Sequence, residues 1–547
     1  MLRREFVKTA ALAGGGLALG RRLRPQAQAE AQIEVLLDEP IATIAPEIYG
    51  HFTEHLGGVI YDGVWVGEDS KVPNLGGIRR ALVEKLRAIH APVIRWPGGC
   101  FADSYDWRDG VGPRDKRPRR TNFWVGSAEA RHLGNAPQAF EPNTFGTDDF
   151  VRFCQLSGAQ PYLAANLRSL PALAFDQWVE YCNSPAGSTT YADLRAAGGS
   201  AQPYGVRYWG IGNESWGCGG NFTPSEYASE YRRFTSWVPR YGVDLKLVAS
   251  GPNADDVDWT TEFFENIFGR HGMAPPWGWS VHNYTFMGDA LRFDADTAYQ
   301  TFQKGFSTEK VLLDHWTAMG VYDRRRRVKL VVDEYGDWYS SGTELDPSHI
   351  FGQQITMRDA IVTAFTLDIF NRNADKVAMA ACAQLINCIT ALFLAHEDRF
   401  LVTPNYHVFD LYAAHQGATA VRTEFAAPPV VYQAAPVRNG SRGAAPTPPT
   451  ASFWGLNGSA SRRGKGLTLT VVNPNLTAGR DTEIRLQGAR AASATARVLA
   501  AADVHAHNTF DQPNAVAPRA ATPVLAGGRI RIALPPASVT RLDVVLG

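Results

Sequence analysis

Residues 206–220 read VRYWGIGNESWGCGG. The run 206–211 is apolar and followed at once by glycine, the pattern of a strand buried on both faces. Glu214 stands just past its end, among Trp209, Trp216 and several glycines. A lone carboxylate in such a place is either a satisfied structural group or a reacting one, and the rest of the chain has to discriminate.

Seven more runs of this kind flank it: EIYGHF (47–52), APVIRWPGG (91–99), AQPYLAANL (159–167), LKLVASGPN (245–253), GWSVHNY (278–284), VKLVVDEY (328–335) and KVAMAACAQ (376–384). Amphipathic helical patterns fall between many of them. GIRRALVEKLRAIH follows Gly76 and TDDFVRFCQLSG follows Gly146. TPSEYASEYRRFTSWV opens with Thr223-Pro224 and carries Glu226 at its third helical position, a strong start signal. Eight buried strands alternating with helices predict an α/β fold, a (β/α)8 TIM barrel over residues 46–400. A doubly wound open sheet is the alternative. The RRRR run at 324–327 reads as a solvated helix end before a strand.

After residue 403 the texture changes. AAPPVVYQAAPVRNGSRGAAPTPPT is rich in Pro, Ala and Gly and reads as a loop or irregular crossing. GLTLTVVN, DTEIRLQG, ATARVLAA, GRIRIALPP and SVTRLDVVL then alternate with period two. They predict a C-terminal antiparallel β-sandwich. QIEVLLDE (32–39) has the same character, so the sandwich domain is assigned residues 32–45 plus 401–547. No internal repeat is evident.

The first residues, LRREFVKTAALAGGGLALG, pair Arg3-Arg4 with a short Gly/Ala-rich apolar run. With Ala27-Gln28-Ala29 as a cleavage site, residues 1–29 read as a twin-arginine signal peptide, and the product is expected in the periplasm or outside the cell. The run is too short for a membrane anchor. The 547 residues hold 54 Lys+Arg and 54 Asp+Glu, which speaks against nucleic acid or an anionic membrane as partner. The 14 Trp and 19 Tyr fit either a large core or a ligand with flat apolar faces, such as a sugar. Six cysteines are too few for a disulfide framework.

Barrel active sites lie at the C-terminal strand ends. Those ends carry His51, Glu54 and His55; Arg95 and Cys100; Asn213 and Glu214; His282 and Tyr284; Asp333 and Glu334; Gln384 and Asn387. Glu214 and Glu334 thus reach one rim from the fourth and seventh strands. Paired carboxylates suit glycoside hydrolysis, one protonating the departing oxygen and the other attacking the anomeric carbon or activating water. Desolvation among tryptophans would keep Glu214 protonated, and Arg95, His282 or the Tyr284 hydroxyl would keep Glu334 ionised. A rival motif, HFTEH (51–55), matches the His-x-x-Glu-His of zinc peptidases. It needs a helix, and the glycines close by argue against one.

The stretches GHFTEHLGGVIYDGVWVG, RWPGGCFADSYDWRDGVGPRDKRP, NTFGTDDFVRFCQLSGAQPYLAANL, GIGNESWGCGGNFTPSEYASEYRRF, SVHNYTF and VVDEYGDWY resemble glycoside hydrolase family 51, the α-L-arabinofuranosidases. The C-terminal HNTFDQPNAV and LPPASVTRLDV resemble its β-sandwich, so the likeness covers nearly all of the chain past residue 29. It implies an exo-acting retaining enzyme releasing terminal α-L-arabinofuranose from arabinan, arabinoxylan or arabino-oligosaccharides. Glu214 matches the acid/base and Glu334 the nucleophile. Glu54, Asn213, Tyr284 and Gln384 match furanose-binding residues, Cys100 lines the subsite, and His282 lies near the nucleophile. Many relatives carry Trp where this chain has Tyr335, which puts the pocket wall in question. No metal or organic cofactor is implied. Cys100 and Cys218 fall in rim loops, and the resemblance supports a disulfide between them over two buried thiols. The competing functions are another retaining hydrolase of the clan (an endo-glucanase or xylosidase), a non-catalytic carbohydrate-binding protein and a zinc peptidase. The oligomeric state is left open, a homo-oligomer included.

Overall fold

The computed structural model describes residues 30–269, 274–435 and 449–547. Residues 1–29, on which the signal-peptide reading falls, lie outside them. No helix among the described residues is long and apolar enough to cross a membrane.

Eight parallel strands close into a barrel. They are β1 (Gly50–Phe52), β2 (Val93–Trp96), β3 (Gln160–Ala165), β4 (Tyr208–Ile211), β5 (Lys246–Ala249), β6 (Gly278–Phe286), β7 (Lys329–Trp338) and β8 (Val377–Cys382). All eight apolar runs supply one. Alternate side chains face the axis. Val93, Tyr208, Val248, Val331 and Met379 pack together as an apolar plug with Tyr162. Their outward neighbours, such as Ile94, Trp209 and Leu330, join the main core beneath the surrounding helices.

The helices form where the sequence signals stand. Pro224–Thr235 begins at Thr223, whose hydroxyl accepts the Glu226 N–H while the Glu226 carboxylate accepts the Thr223 N–H at 2.8 Å. Thr147–Ser157 stops at Gly158, whose φ of 80° is the left-handed turn that glycine takes without strain. Two of the four arginines at 324–327 are not simply solvated. Arg326 stacks over Trp316 at 4.5 Å and Arg327 pairs with Asp323 at 3.3 Å.

A ten-stranded sheet holds the strand Ala31–Thr43 and strands from Thr419–Ala426 to Ser538–Leu546. Ile33, Val35, Leu467, Leu469, Ile484, Ile532 and Leu542, from across the sheet, share one apolar core, as a sandwich requires. It is not wholly antiparallel: Ala31–Thr43 runs parallel to Arg480–Gln487 while pairing antiparallel with Thr419–Ala426. The described flanks of the Pro/Ala-rich stretch are strands, not loop. Val430–Gln433 and Thr450–Phe453 form an antiparallel ribbon. Tyr432 and Phe453 pack on Tyr299 of the helix Ala295–Tyr322. The helix Met357–Arg372 lies between barrel and sheet and is buried along almost its whole length, so its sequence lacks a polar face.

Candidate active site

The polar rim begins where β7 breaks its alternation. Strand pairing shifts register between Val332 and Tyr335 on one side and opposite Ser280/His282 on the other. A bulge of this kind re-aims side chains. Here the consecutive residues Asp333 and Glu334 both turn inward. Tyr335 turns outward, its ring 5.1 Å from Phe370 of the buried helix. The Tyr-for-Trp difference therefore leaves the pocket wall untouched.

Arg95 of β2 is the hub. Its Nη1 donates to Glu334 Oε1 at 2.7 Å and its Nη2 to Asn213 Oδ1 at 2.7 Å. Its Nε lies 3.6 Å from Asp333 Oδ2. Burial alone would lower its pKa, but Asp333 and Glu334 outweigh that and hold the guanidinium charged. Asp333 also accepts the Tyr162 hydroxyl at 2.8 Å and the Ser280 hydroxyl at 2.5 Å. Burial would raise this carboxyl, yet Arg95, His282 and Ser280 hold it well below the usual carboxylate range.

His282 stands between the two candidate catalytic acids. Its Nδ1 is 3.0 Å from Glu214 Oε1 and 3.5 Å from Glu334 Oε2, and its Nε2 is 3.3 Å from Asp333 Oδ1. Burial disfavours the imidazolium, but Glu334, Asp333 and Glu214 raise its pKa to about 10, so both nitrogens carry protons at neutral pH. One oxygen of Glu214 and one of Glu334 lie within 4.8 Å of each other. The Tyr284 hydroxyl donates to Glu334 Oε2 at 2.9 Å. All three groups named as partners of Glu334 thus reach it. Burial still pushes its carboxyl up, against the pull of His282 and Arg95.

Glu214 departs from its sequence reading. Its nearest polar neighbour is His282, not an indole, and 19% of its side chain is exposed. Its backbone holds φ at 38°, an uncommon conformation for a residue with a Cβ and one that concentrates at functional sites. Cys100 and Cys218 are joined by a disulfide, and their sulfurs lie 3.8 and 3.5 Å from Glu214 Oε2. Having no S–H, they pack against that oxygen and donate nothing to it.

Glu54 closes the opposite wall. Its Oε1 accepts the N–H groups of Gly99 (3.1 Å) and Phe101 (3.0 Å), and its Oε2 accepts Gln384 Nε2 at 2.8 Å. Burial, reinforced by the Glu334 charge, raises its pKa to about 8. The glycines of PGGC are needed here. A Cβ on Gly98 would meet Glu54 Cγ at 2.7 Å, and one on Gly99 would meet Glu334 Oε1 at 2.5 Å. HFTEH forms no helix. His51 is buried against Phe409, its pKa lowered to about 3 by desolvation. Both nitrogens of His55 are taken, by Glu141 at 2.9 Å and Trp96 Nε1 at 3.0 Å. Asn387 also leaves the rim, donating to the Gly58 carbonyl at 2.9 Å.

Asp103 is a member that sequence reasoning passed over. Buried, it accepts the N–H of Asn213 (3.0 Å), Leu167 (2.7 Å) and Arg168 (3.0 Å), and so ties the ends of β3 and β4 together. Its only sequence signal is its place within CFADSYDWRDG.

The chain as a whole is similar to known proteins. Residues 85–294 match the α-L-arabinofuranosidase 1 domain and 333–538 the α-L-arabinofuranosidase C-terminal domain. An intracellular exo-α-L-arabinofuranosidase of Bacteroides ovatus is 34% identical over 94% of this chain and 96% of its own. The GH51 arabinofuranosidase structure from Xanthomonas axonopodis pv. citri superposes with a TM-score of 0.85 at 33% identity, covering 94% and 100% of the two chains. The α-L-arabinofuranosidase from Thermotoga maritima, in its arabinose complex, gives 0.80 at 29% over 94% and 100%. The intracellular naming of the Bacteroides protein overturns the export reading of residues 1–29. Paired arginines before a short apolar run are a compositional signal only, and a relative matched along almost the whole chain outweighs it. The chain belongs to glycoside hydrolase family 51, the α-L-arabinofuranosidases.

Proposed function

We propose that the exo-acting α-L-arabinofuranosidase activity of this chain runs through Glu334 as nucleophile and Glu214 as acid/base. The substrates are terminal non-reducing α-L-arabinofuranosyl residues of arabinan, arabinoxylan or arabino-oligosaccharides. The observation that supports this pairing is the approach of one oxygen of each carboxylate to within 4.8 Å beside His282, with Arg95 and Tyr284 bonded to Glu334. That spacing suits direct attack, whereas an inverting pair needs about 6.5–9.5 Å to admit a water.

Glu334 is fixed by Arg95 and Tyr284 and attacks C1, while Glu214 gives its proton to the departing oxygen. As negative charge leaves Glu334 and appears on Glu214, the imidazolium of His282 follows it without moving, because one nitrogen faces both acids. Glu214 then takes a proton from water, which releases arabinose with retained configuration. Asn213 gives its carbonyl to Arg95, which leaves its amide protons for a furanose hydroxyl. Glu54 and Gln384 hold further hydroxyls, and Cys100 forms part of the wall behind Glu214. We assign the chemistry to a barrel unit over 46–400, braced by a sheet unit of 32–45 plus 401–547.

Trapping with a 2-fluoro arabinofuranoside that carries a good leaving group, followed by peptide mapping, tests the roles. Label on Glu334 is expected, and label on any other residue overturns the assignment.

A further inference from the structure

A second cluster of ligating side chains stands apart from the reacting carboxylates. A cavity of about 770 Å³ opens among the rim loops, with Tyr61, Trp124, Phe140 and Glu141 in its walls. Three of its lining residues converge: Asp62 from the loop after β1, His349 from the loop after β7 and His396 from the hairpin after β8. His349 Nε2 lies 3.4 Å and His396 Nδ1 3.1 Å from the same oxygen, Asp62 Oδ2. All three donor atoms lie within 4.8 Å of one another. The other oxygen, Oδ1, is turned away. It accepts the Glu397 N–H at 2.9 Å and faces Arg79 Nη2 at 3.4 Å.

These spacings have a simple reading. Two ligands about 2.0–2.1 Å from one tetrahedral ion stand about 3.3–3.4 Å apart. The His349 contact is longer than a good N–H···O bond and matches that edge, while the His396 contact at 3.1 Å is a hydrogen bond a little shorter than it. Two imidazoles and one carboxylate oxygen are the donor set of zinc, not of calcium or magnesium. Arg79 and the Glu397 amide hold the carboxylate by its spare oxygen, the outer support a metal-bound carboxylate requires. Among the described residues, the other two clusters with ligating atoms do not compete. Cys100 and Cys218 have spent their thiols on each other, and Glu214, His282 and Glu334 are the site already described.

We propose that Asp62, His349 and His396 form a zinc site that ties three active-site rim loops together, its fourth position open to the cavity. The ion is structural to the rim and takes no part in the glycosyl transfer.

The test uses the full chain, stripped with chelator and titrated with zinc by calorimetry and with cobalt by absorption. One zinc per chain, a tetrahedral cobalt band and a rise in Tm with zinc are expected. His349→Ala and His396→Ala, each checked for fold by circular dichroism, should weaken uptake by more than about a hundredfold, since outer partners alone are worth about 10–100-fold. Asp62→Asn, which keeps the side-chain shape, provides a third variant and should do the same. No uptake by the unsubstituted chain overturns the proposal. So does uptake that survives these variants but is lost in Glu334→Gln, which would place the ion on the catalytic carboxylates.

Discussion

Two buried polar clusters in this molecule use the same kinds of group to opposite ends. At the barrel rim, Asp333, Glu334, His282 and Arg95 meet as charges, with the neutral Tyr284 hydroxyl donating to Glu334. Between the helix Met357–Arg372 and the C-terminal sheet, Asp368, His415, Tyr412, Ser459 and Thr470 meet mainly as hydroxyl hydrogen bonds. Asp368 accepts Ser459 Oγ and Thr470 Oγ1 at 2.6 Å and Tyr412 OH at 2.7 Å. Burial raises its pKa to about 6. His415 is lowered to about 3 by burial and is neutral, its nitrogens on Ser461 at 2.8 Å and Thr470 at 3.2 Å. His282, also buried, is raised to about 10. Burial alone therefore does not mark a functional group. What separates the clusters is the density of carboxylates around the histidine, and the presence of polar atoms, such as the Asn213 amide, with no strong partner inside the protein.

The largest effects should fall on the rim. Glu334→Ala should lower kcat by more than about 10⁴-fold, beyond the usual reach of a general acid or base. Glu214→Ala should cost about 10²–10⁴-fold on natural linkages. With a good aryl leaving group its first step should be nearly spared, which pre-steady-state kinetics would show as a burst. Equal losses on both substrates would contradict the acid role.

Asp333→Asn removes the charge beneath His282 and Arg95. Hydrogen bonds to charged groups are worth about 1.5–3 kcal/mol, so kcat should fall by about tenfold to a hundredfold. The alkaline limb of the pH–rate profile should also move to lower pH, since Asp333 is one of the groups that raise His282. A drop in kcat with an unmoved profile would reduce Asp333 to a packing role.

At the sheet interface the same kind of substitution should touch stability alone. Asp368→Ala strands three hydroxyls, which costs about 1–3 kcal/mol for a group left without its partner. It should lower Tm and leave kcat of the folded enzyme unchanged. A kcat loss comparable to that of Asp333→Asn would erase the contrast between the clusters.

The smallest effects separate the two histidines by sign. His282, raised from 6.5 to about 10, contributes stability that is full below pH 6.5 and lost as pH rises through about 10. His415, lowered from 6.5 to about 3, contributes stability present above pH 6.5 and lost as pH falls through about 3. In melting curves His282→Gln should flatten the alkaline decline and His415→Gln the acid one. The reverse assignment would show the charge states to be wrong.

Much of this was legible in the sequence. The barrel strands are buried on both faces, so they read as unbroken apolar runs, and the Thr223/Glu226 capping signal is local. The ends were less exact: 47–52 shortens to Gly50–Phe52 behind the turn Pro46–Tyr49, and 245–253 to Lys246–Ala249. Glu54, Asn213, Glu214, His282, Tyr284, Glu334 and Gln384 do converge, because strand ends share one rim. What could not be read depends on contacts distant in sequence. The support of Asp333 by Tyr162 and Ser280, and the grip of Asp103 on three loop amides, belong to this class. So does the inward turn of both Asp333 and Glu334. A strict period of two would send one outward, and only the bulge in β7 brings both in.

Azide rescue tests the central claim most directly, because the two acids give products of opposite hand. In Glu334→Ala, azide takes the place of the missing nucleophile and should yield the inverted β-arabinofuranosyl azide. In Glu214→Ala, it should attack the glycosyl-enzyme on Glu334 and yield the retained α-azide. The anomeric configuration of each product, read by NMR, decides. The opposite pairing would contradict the account.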